Sequence, residues 1–485
     1  MKRIGLVAGA AFALLLVIAA GGFRVSFPSW VSLPTTTQPQ PQPQPPVIPD
    51  KPVVNVTHSL PSSMMVGDAI SLEMQLTHSK LLKDGSGELY LVALLKAKEV
   101  AEARGDRPPL NLSLVIDRSG SMEARGKMEK AKEAAKRIVK RLSAEDYISI
   151  VAYSTDAEVL LSARAPTNLD EIFRIIDDIE PVGATNLSEG LELGRKEVEK
   201  NLSGKAINRV LLLSDGKANM GIKDPRRLAE LSQTIAQAGV SVTCLGLGKD
   251  FNEDLMLDIA EFGRGNFYFI ERSNQILDIF QKELKGLLAA VAKDVELTIK
   301  PGAEVSIERV YGYRPTFQKS QVSIPLGSIS SGQERKIVMK IKVKTGKVGP
   351  LTVADAELNY ENLLSKAKVS DKAIVGLAVT EKPALVDAGR SNKALARAET
   401  VVAAENLNEV VAQVKAKKDG EAIRMLKQQI EVTRDRNRVY NDQYLNTQVS
   451  QMEEMLDDIE QGRLNSERRA IVVKQGKTQS YLMMR

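Results

Sequence analysis

Three short stretches of this 485-residue chain place oxygen-bearing side chains at the ends of apolar runs. In the first, residues 110–122, the apolar Leu112, Leu114, Val115 and Ile116 stop at Asp117, and Ser119, Gly120 and Ser121 follow in a turn. Such an apolar strand is the kind buried on both faces of a parallel sheet. The loop leaving its carboxyl end is where open α/β sheets bind ligands. Gly120 lets the backbone turn tightly enough for both serine hydroxyls to face one point. In the second, the apolar run 210–213 leads into Ser214-Asp215-Gly216, a further carboxylate at a further strand end. Between them, residues 182–187 form a loop carrying Thr185 just before a helical run over 187–200.

Asp117, Ser119, Ser121, Thr185 and Asp215 offer only oxygen, with no Cys or His nearby. That donor set suits a hard cation such as Mg2+, or Mn2+ or Ca2+, and argues against zinc or copper. The groups are too few to fill an octahedron without water or an outside ligand. Taken singly, Asp117 and Ser119 could instead cap the next helix. Three stretches in this order and context favour the metal.

The Asp-x-Ser-x-Ser turn, the later Thr and the Asp-Gly resemble the metal-ion-dependent adhesion site of a von Willebrand factor type A domain. The resemblance covers residues 108–293, and all five motif positions match. It implies that Ser119, Ser121 and Thr185 touch the metal, with Asp117 and Asp215 holding it directly or through water. It further implies a protein partner whose exposed Asp or Glu completes the shell.

The elements that must position these groups alternate along the chain. Helical or strand patterns are expected at 127–142, 147–153, 157–161, 169–179, 187–200, 210–213, 226–238, 240–247, 253–262, 267–270 and 274–291. Alternation of this kind predicts an α/β fold, a doubly wound and mostly parallel sheet with helices on both faces. No phosphate loop is present, since Gly246-Leu247-Gly248-Lys249 lacks the spacing and the Ser/Thr. The sequons at Asn55, Asn111, Asn186 and Asn201 read as coincidental, because a glycan on Asn186 would obstruct Thr185.

Around this domain the chain divides further. Residues 1–23 join Met1-Lys2-Arg3 to an apolar run long enough to span a bilayer, a signal anchor or a signal peptide cut near Ala19-Ala20-Gly21. Retention as an anchor is the expectation, with Lys2 and Arg3 on the cytoplasmic side. Residues 24–50 are a Pro/Gln/Thr-rich linker whose proline spacing predicts an extended spacer. Residues 51–107 hold N-terminal strands, including the alternating Ile70, Leu72, Met74 and Leu76, and an Arg104-Gly105-Asp106 tripeptide attributed to chance. Residues 294–381 form a β-rich module, expected antiparallel with one face to water. The strands before the α/β domain are expected to join it in one sandwich, making that domain an insertion. Residues 382–485 read as two or three amphipathic helices with a basic tail, expected as a solvated face.

The net charge of +6 is modest, and no arginine–aromatic stripe or zinc-finger spacing points to nucleic acid. Cys244 is the only cysteine, so no intrachain disulfide exists, and its apolar strand marks it as a buried side chain. His58 and His78 suggest no role. The whole order resembles bacterial type A proteins called calcium-activated chloride channel-like, although one apolar run is too little for a channel. The expectation is a metal-dependent protein-binding module at the cell membrane, single-pass, with its bulk in the periplasm or at the cell surface. If the N-terminal segment is cleaved, the protein is secreted. The alternatives are a scaffold acting through its helical tail around a structural metal and, less favoured, a metal-dependent hydrolase. The domain has no His and no nucleophile–base pair, so no enzyme activity is expected.

Overall fold

A computed structural model describes residues 62–100 and 107–485. The N-terminal apolar run, the proline-rich linker and the Arg104-Gly105-Asp106 tripeptide lie outside the described residues. Four strands come first: β1 (Ser62–Val66), β2 (Ile70–Leu76), β3 (Lys80–Leu82) and β4 (Ser86–Ala97). On β2 the period-two pattern buries Ile70, Leu72, Met74 and Leu76.

The α/β part follows as β5 (Leu110–Asp117), α1 (Lys127–Val139), β6 (Tyr147–Tyr153), β7 (Ala157–Arg164), α2 (Leu169–Asp177) and α3 (Leu187–Glu199). It continues through β8 (Ile207–Ser214), α4 (Pro225–Gln237), β9 (Ser241–Leu247), α5 (Glu253–Phe262), β10 (Arg264–Ile270) and α6 (Ile276–Leu288). Its six-stranded sheet has the order β10-β9-β8-β5-β6-β7 and is parallel except at the β6–β7 edge. On one face α1, α2 and α6 bury Ile138, Ile176 and Phe280. On the other, α3, α4 and α5 bury Leu191, Ile235 and Ile259. Helices on both faces explain why every residue of β5 is buried. Gly194 permits the close approach of α3, since a Cβ there would lie 2.4 Å from Val115 Cγ2. The strand order reverses at β5, whose neighbours β6 and β8 lie on opposite sides, so its carboxyl end opens onto a crevice.

The chain then returns to antiparallel strands: β11 (Ala290–Pro301), β12 (Val305–Tyr311), β13 (Thr316–Gln318), β14 (Gln321–Ser330), β15 (Glu334–Lys344), β16 (Gly349–Asn362) and β17 (Ala367–Thr380). They form two sheets with the first four strands, in the orders β1-β2-β4-β15-β12 and β13-β14-β11-β16-β17-β3. β4 pairs with β15 along its length, so the α/β part is inserted between strands of one sandwich. Leu72, Leu91, Leu297, Ile341, Leu358 and Leu377 share its core.

Two expectations are corrected in this part of the chain. The helix read over 274–291 ends at Leu288, and Ala290 already begins β11. The apolar run there suits either period, and pairing with β14 and β16 decides it. The five-stranded sheet does not leave its outer face to water, because Val92 and Val338 pack against Ala398, Val401 and Ala404.

The C-terminal region holds five helices rather than two or three: α7 (Pro383–Ala388), α8 (Asn392–Lys415), α9 (Asp419–Tyr440), α10 (Gln443–Glu460) and α11 (Ser466–Met484). The last of these carries most of the basic tail, and much of it folds inward. Lys474 is 4% exposed, Tyr481 meets the Phe267 ring edge-on, and the Arg485 guanidinium lies over Tyr313. Val472, Tyr481 and Met484 enter three different apolar clusters, so α11 is buried on several sides and shows no single apolar stripe. Only part of the tail, such as Arg463 and Arg468, stays at the surface. Among the described residues, no helix is long and apolar enough to cross a membrane.

Candidate metal centre

Asp117 ends β5 fully buried. Its Oδ1 accepts from the Ser119 amide at 2.8 Å, and its Oδ2 accepts from Ser214 Oγ at 2.8 Å. Neither oxygen caps a helix: the helical turn Gly120–Gly126 has no side-chain cap from Ser119, and α1 starts behind Gly126. Ser119 and Ser121 therefore share one edge of the crevice, their hydroxyl oxygens 3.1 Å apart. Ser121 Oγ donates to Asp215 Oδ1 at 2.6 Å, which ties the first stretch to the end of β8.

Thr185 arrives from the loop before α3. Asn186 caps that helix, accepting from the Glu189 amide. The Thr185 amide donates to Asn219 Oδ1 at 2.8 Å, while its carbonyl accepts from the Asn219 and Met220 amides. Gly216 lies close to both hydroxyls, since a Cβ there would be 3.2 Å from Thr185 Oγ1 and 3.7 Å from Ser121 Oγ. The structure thus brings Asp117, Ser119, Ser121, Thr185 and Asp215 to one place, at the carboxyl ends of β5 and β8.

Burial raises the Asp117 carboxyl to about 6, and the neighbouring Asp215 charge pushes the same way against the hydrogen bonds it accepts. Two buried carboxylates facing hydroxyl oxygens, in a crevice that opens to solvent at the exposed Ser121, fit a divalent hard cation, which relieves that repulsion. Among the described residues, no three His, Cys, Asp or Glu side chains stand together to hold a metal. A cation here would depend on the hydroxyls as well as on Asp117 and Asp215.

Sequence reasoning missed Lys127. Its Nζ donates to Asp215 Oδ2 at 2.6 Å and to the Ser121 carbonyl at 3.3 Å, with the lysine side chain only 10% exposed. The residue opens a helix rich in charge, and nothing in that pattern marks one lysine as turned inward. Ser214 and Asn219, which orient Asp117 and Thr185, were equally silent, although Ser214 directly precedes the Asp-Gly motif and Asn219 follows it by three residues.

Residues 111–282 match the von Willebrand factor type A domain family, and this part of the chain is such a domain. The uncharacterised protein YfbK of Escherichia coli (strain K12) is 33% identical over 210 residues, 43% of this chain and 36% of that protein. The uncharacterised protein sll0103 of Synechocystis is 28% identical over 273 residues, 54% of this chain and 64% of that one. The chain thus spans less than two thirds of the length of either relative. Human inter-alpha-trypsin inhibitor heavy chain H3 is 30% identical over 196 residues, 22% of its length. Among solved structures, a von Willebrand factor type A protein from Catenulispora acidiphila superposes with a TM-score of 0.64 at 18% identity, covering 80% of this chain and 91% of that one. The ArnB paralog VWA2 from Sulfolobus acidocaldarius gives 0.59 at 17% identity, covering 86% and 99%. At these identities the likeness is one of fold.

Proposed function

We propose that this chain is an extracytoplasmic, membrane-tethered binding module that captures an acidic side chain of a protein partner through a divalent metal. Type A domains are typically metal-dependent protein-interaction modules. The convergence of Asp117, Ser119, Ser121, Thr185 and Asp215 on one crevice carries the finer reading. Mg2+ is the first choice of metal, with Mn2+ or Ca2+ as substitutes. When bound, it would supply a Lewis-acidic position for an oxygen ligand from outside.

The protein's own groups set the charge at that position. Ser119, Ser121 and Thr185 are neutral donors. Lys127 offsets one of the two carboxylates, so less of a divalent charge is cancelled internally. The remaining positive charge favours an incoming Asp or Glu. Capture rather than turnover fits the chemistry: residues 111–282 contain no His, and the Ser121 hydroxyl donates to an Asp215 already paired with Lys127. The tether rests on the apolar run of residues 1–23 and the linker of residues 24–50.

The test is retention of proteins from the source cells on the immobilised chain, in Mg2+ and in chelator, beside Thr185→Ala. Proteins held only in Mg2+, and released by the substitution, support the reading. Identical retention in chelator would refute it.

A further inference from the structure

We propose that the metal centre continues into a basic cleft that binds further carboxylates of the same partner segment, so that the preferred ligand is an acidic peptide. This rests on the carboxylate-capture reading above.

The cleft encloses about 460 Å3 between the loops that follow β8 and β9 and the helices α8 and α11. Lys217, Lys249, Phe251, Lys417, Arg469 and Lys474 are among the residues lining it. Two of its lining lysines, Lys217 and Lys249, lie close in the chain to residues at the metal centre. Lys217 is two residues beyond Asp215, and a Cβ at Gly248 would lie 3.8 Å from Lys127 Nζ. Glu467 bridges the two places, pairing with Arg125 of the helical turn after Ser119 and with Lys249 of the cleft.

The charges at the base and at the lip differ. At the base, Lys474 donates to the buried Glu253 at 2.7 Å, and Arg469 pairs with Asp419 at 2.5 Å. Those cations are already answered. At the lip, Lys217 and Lys417 are exposed and have no carboxylate partner among the described residues. A concave surface with unanswered positive charge draws anions toward it. A segment with one carboxylate at the metal could lay the next against Lys217 and Lys417. Nucleic acid is a poorer occupant, because the lining aromatic, Phe251, is 1% exposed and offers no face for a base to stack on.

The experiment uses the full chain and dye-labelled hexaglutamate, followed by anisotropy in Mg2+ and in chelator. The variant is Lys217→Gln with Lys417→Asn, asparagine being chosen because Lys417 has a φ of 59°. Hexaglutamate should bind the variant about tenfold more weakly, with Mg2+ affinity unchanged. Unchanged hexaglutamate binding by the variant would overturn the cleft, whatever chelator does. Binding lost in the variant but untouched by chelator would uphold the cleft and remove the metal reading. Tighter binding of a six-residue thymidine oligonucleotide than of hexaglutamate would overturn the choice of an acidic peptide.

Discussion

Lys127 Nζ lies 2.6 Å from Asp215 Oδ2, a pair in which the carboxylate is fully buried and the lysine nearly so. Removing one partner of a buried pair strands the other charge and costs about 3–5 kcal/mol. In Lys127→Met, Asp117 and Asp215 are left facing each other without a cation. The chelated variant should therefore melt well below the native protein, and Mg2+ should restore more stability to it than to the native chain. Calorimetry should show tighter Mg2+ binding by the variant, by tenfold or more, because the ion no longer competes with an ammonium group. Weaker binding would mean that Lys127 supports the metal rather than opposing it.

Asp117 gives a pH dependence. Its folded value of about 6 lies above the ordinary 3.8. A carboxyl raised in this way favours the folded state when protonated. The metal-free protein should accordingly lose stability as pH rises from about 4 to 6, by about 3 kcal/mol at most from this group. Melting curves in chelator at steps across that range check this. Asp117→Asn should flatten the dependence.

Gly216 lies against both the Thr185 and the Ser121 hydroxyls. Gly216→Ala places a Cβ 3.2 Å from Thr185 Oγ1, a contact relieved only if the hydroxyl moves by a few tenths of an ångström. The expected result is weaker Mg2+ binding, by about tenfold, in a protein whose circular dichroism is unchanged. Native affinity in this variant would show that the two hydroxyls need not hold their present spacing.

The sequence made one part of this molecule far more legible than another. β5 and β8 are buried on both faces, so their carboxyl halves, residues 114–116 and 210–213, read as short apolar runs, and the polar residues that end them stand out. The strand alternation of Ile70 to Leu76 was plain for the opposite reason, one face in and one face out. α11 was not legible, because its contacts come from the α/β part, the sandwich and the other helices at once. A residue such as Lys474 looks like surface until Glu253 is placed beside it. Lys127 was hidden similarly, since a buried lysine is recognised by its partner and Asp215 lies 88 residues away.

Glu253 tests how firmly the helical region is held. It accepts from Lys415 at 2.6 Å and from Lys474 at 2.7 Å. Glu253→Gln leaves the 4%-exposed Lys474 without its counter-charge and should cost about 3 kcal/mol. Hydrogen exchange should quicken in α11 and at the end of α8 while β5 stays protected. Uniform loss of protection would show that the region folds only together with the α/β sheet.

The metal assignment is tested most directly by calorimetric titration of Mg2+ into the native protein and into Asp117→Ala and Asp215→Ala, each checked for folding by circular dichroism. Each substitution removes one negative charge from the crevice. Both variants should stay folded and bind Mg2+ at least tenfold more weakly than the native chain. Native Mg2+ affinity in both folded variants would contradict the assignment of Asp117, Ser119, Ser121, Thr185 and Asp215 as a metal site.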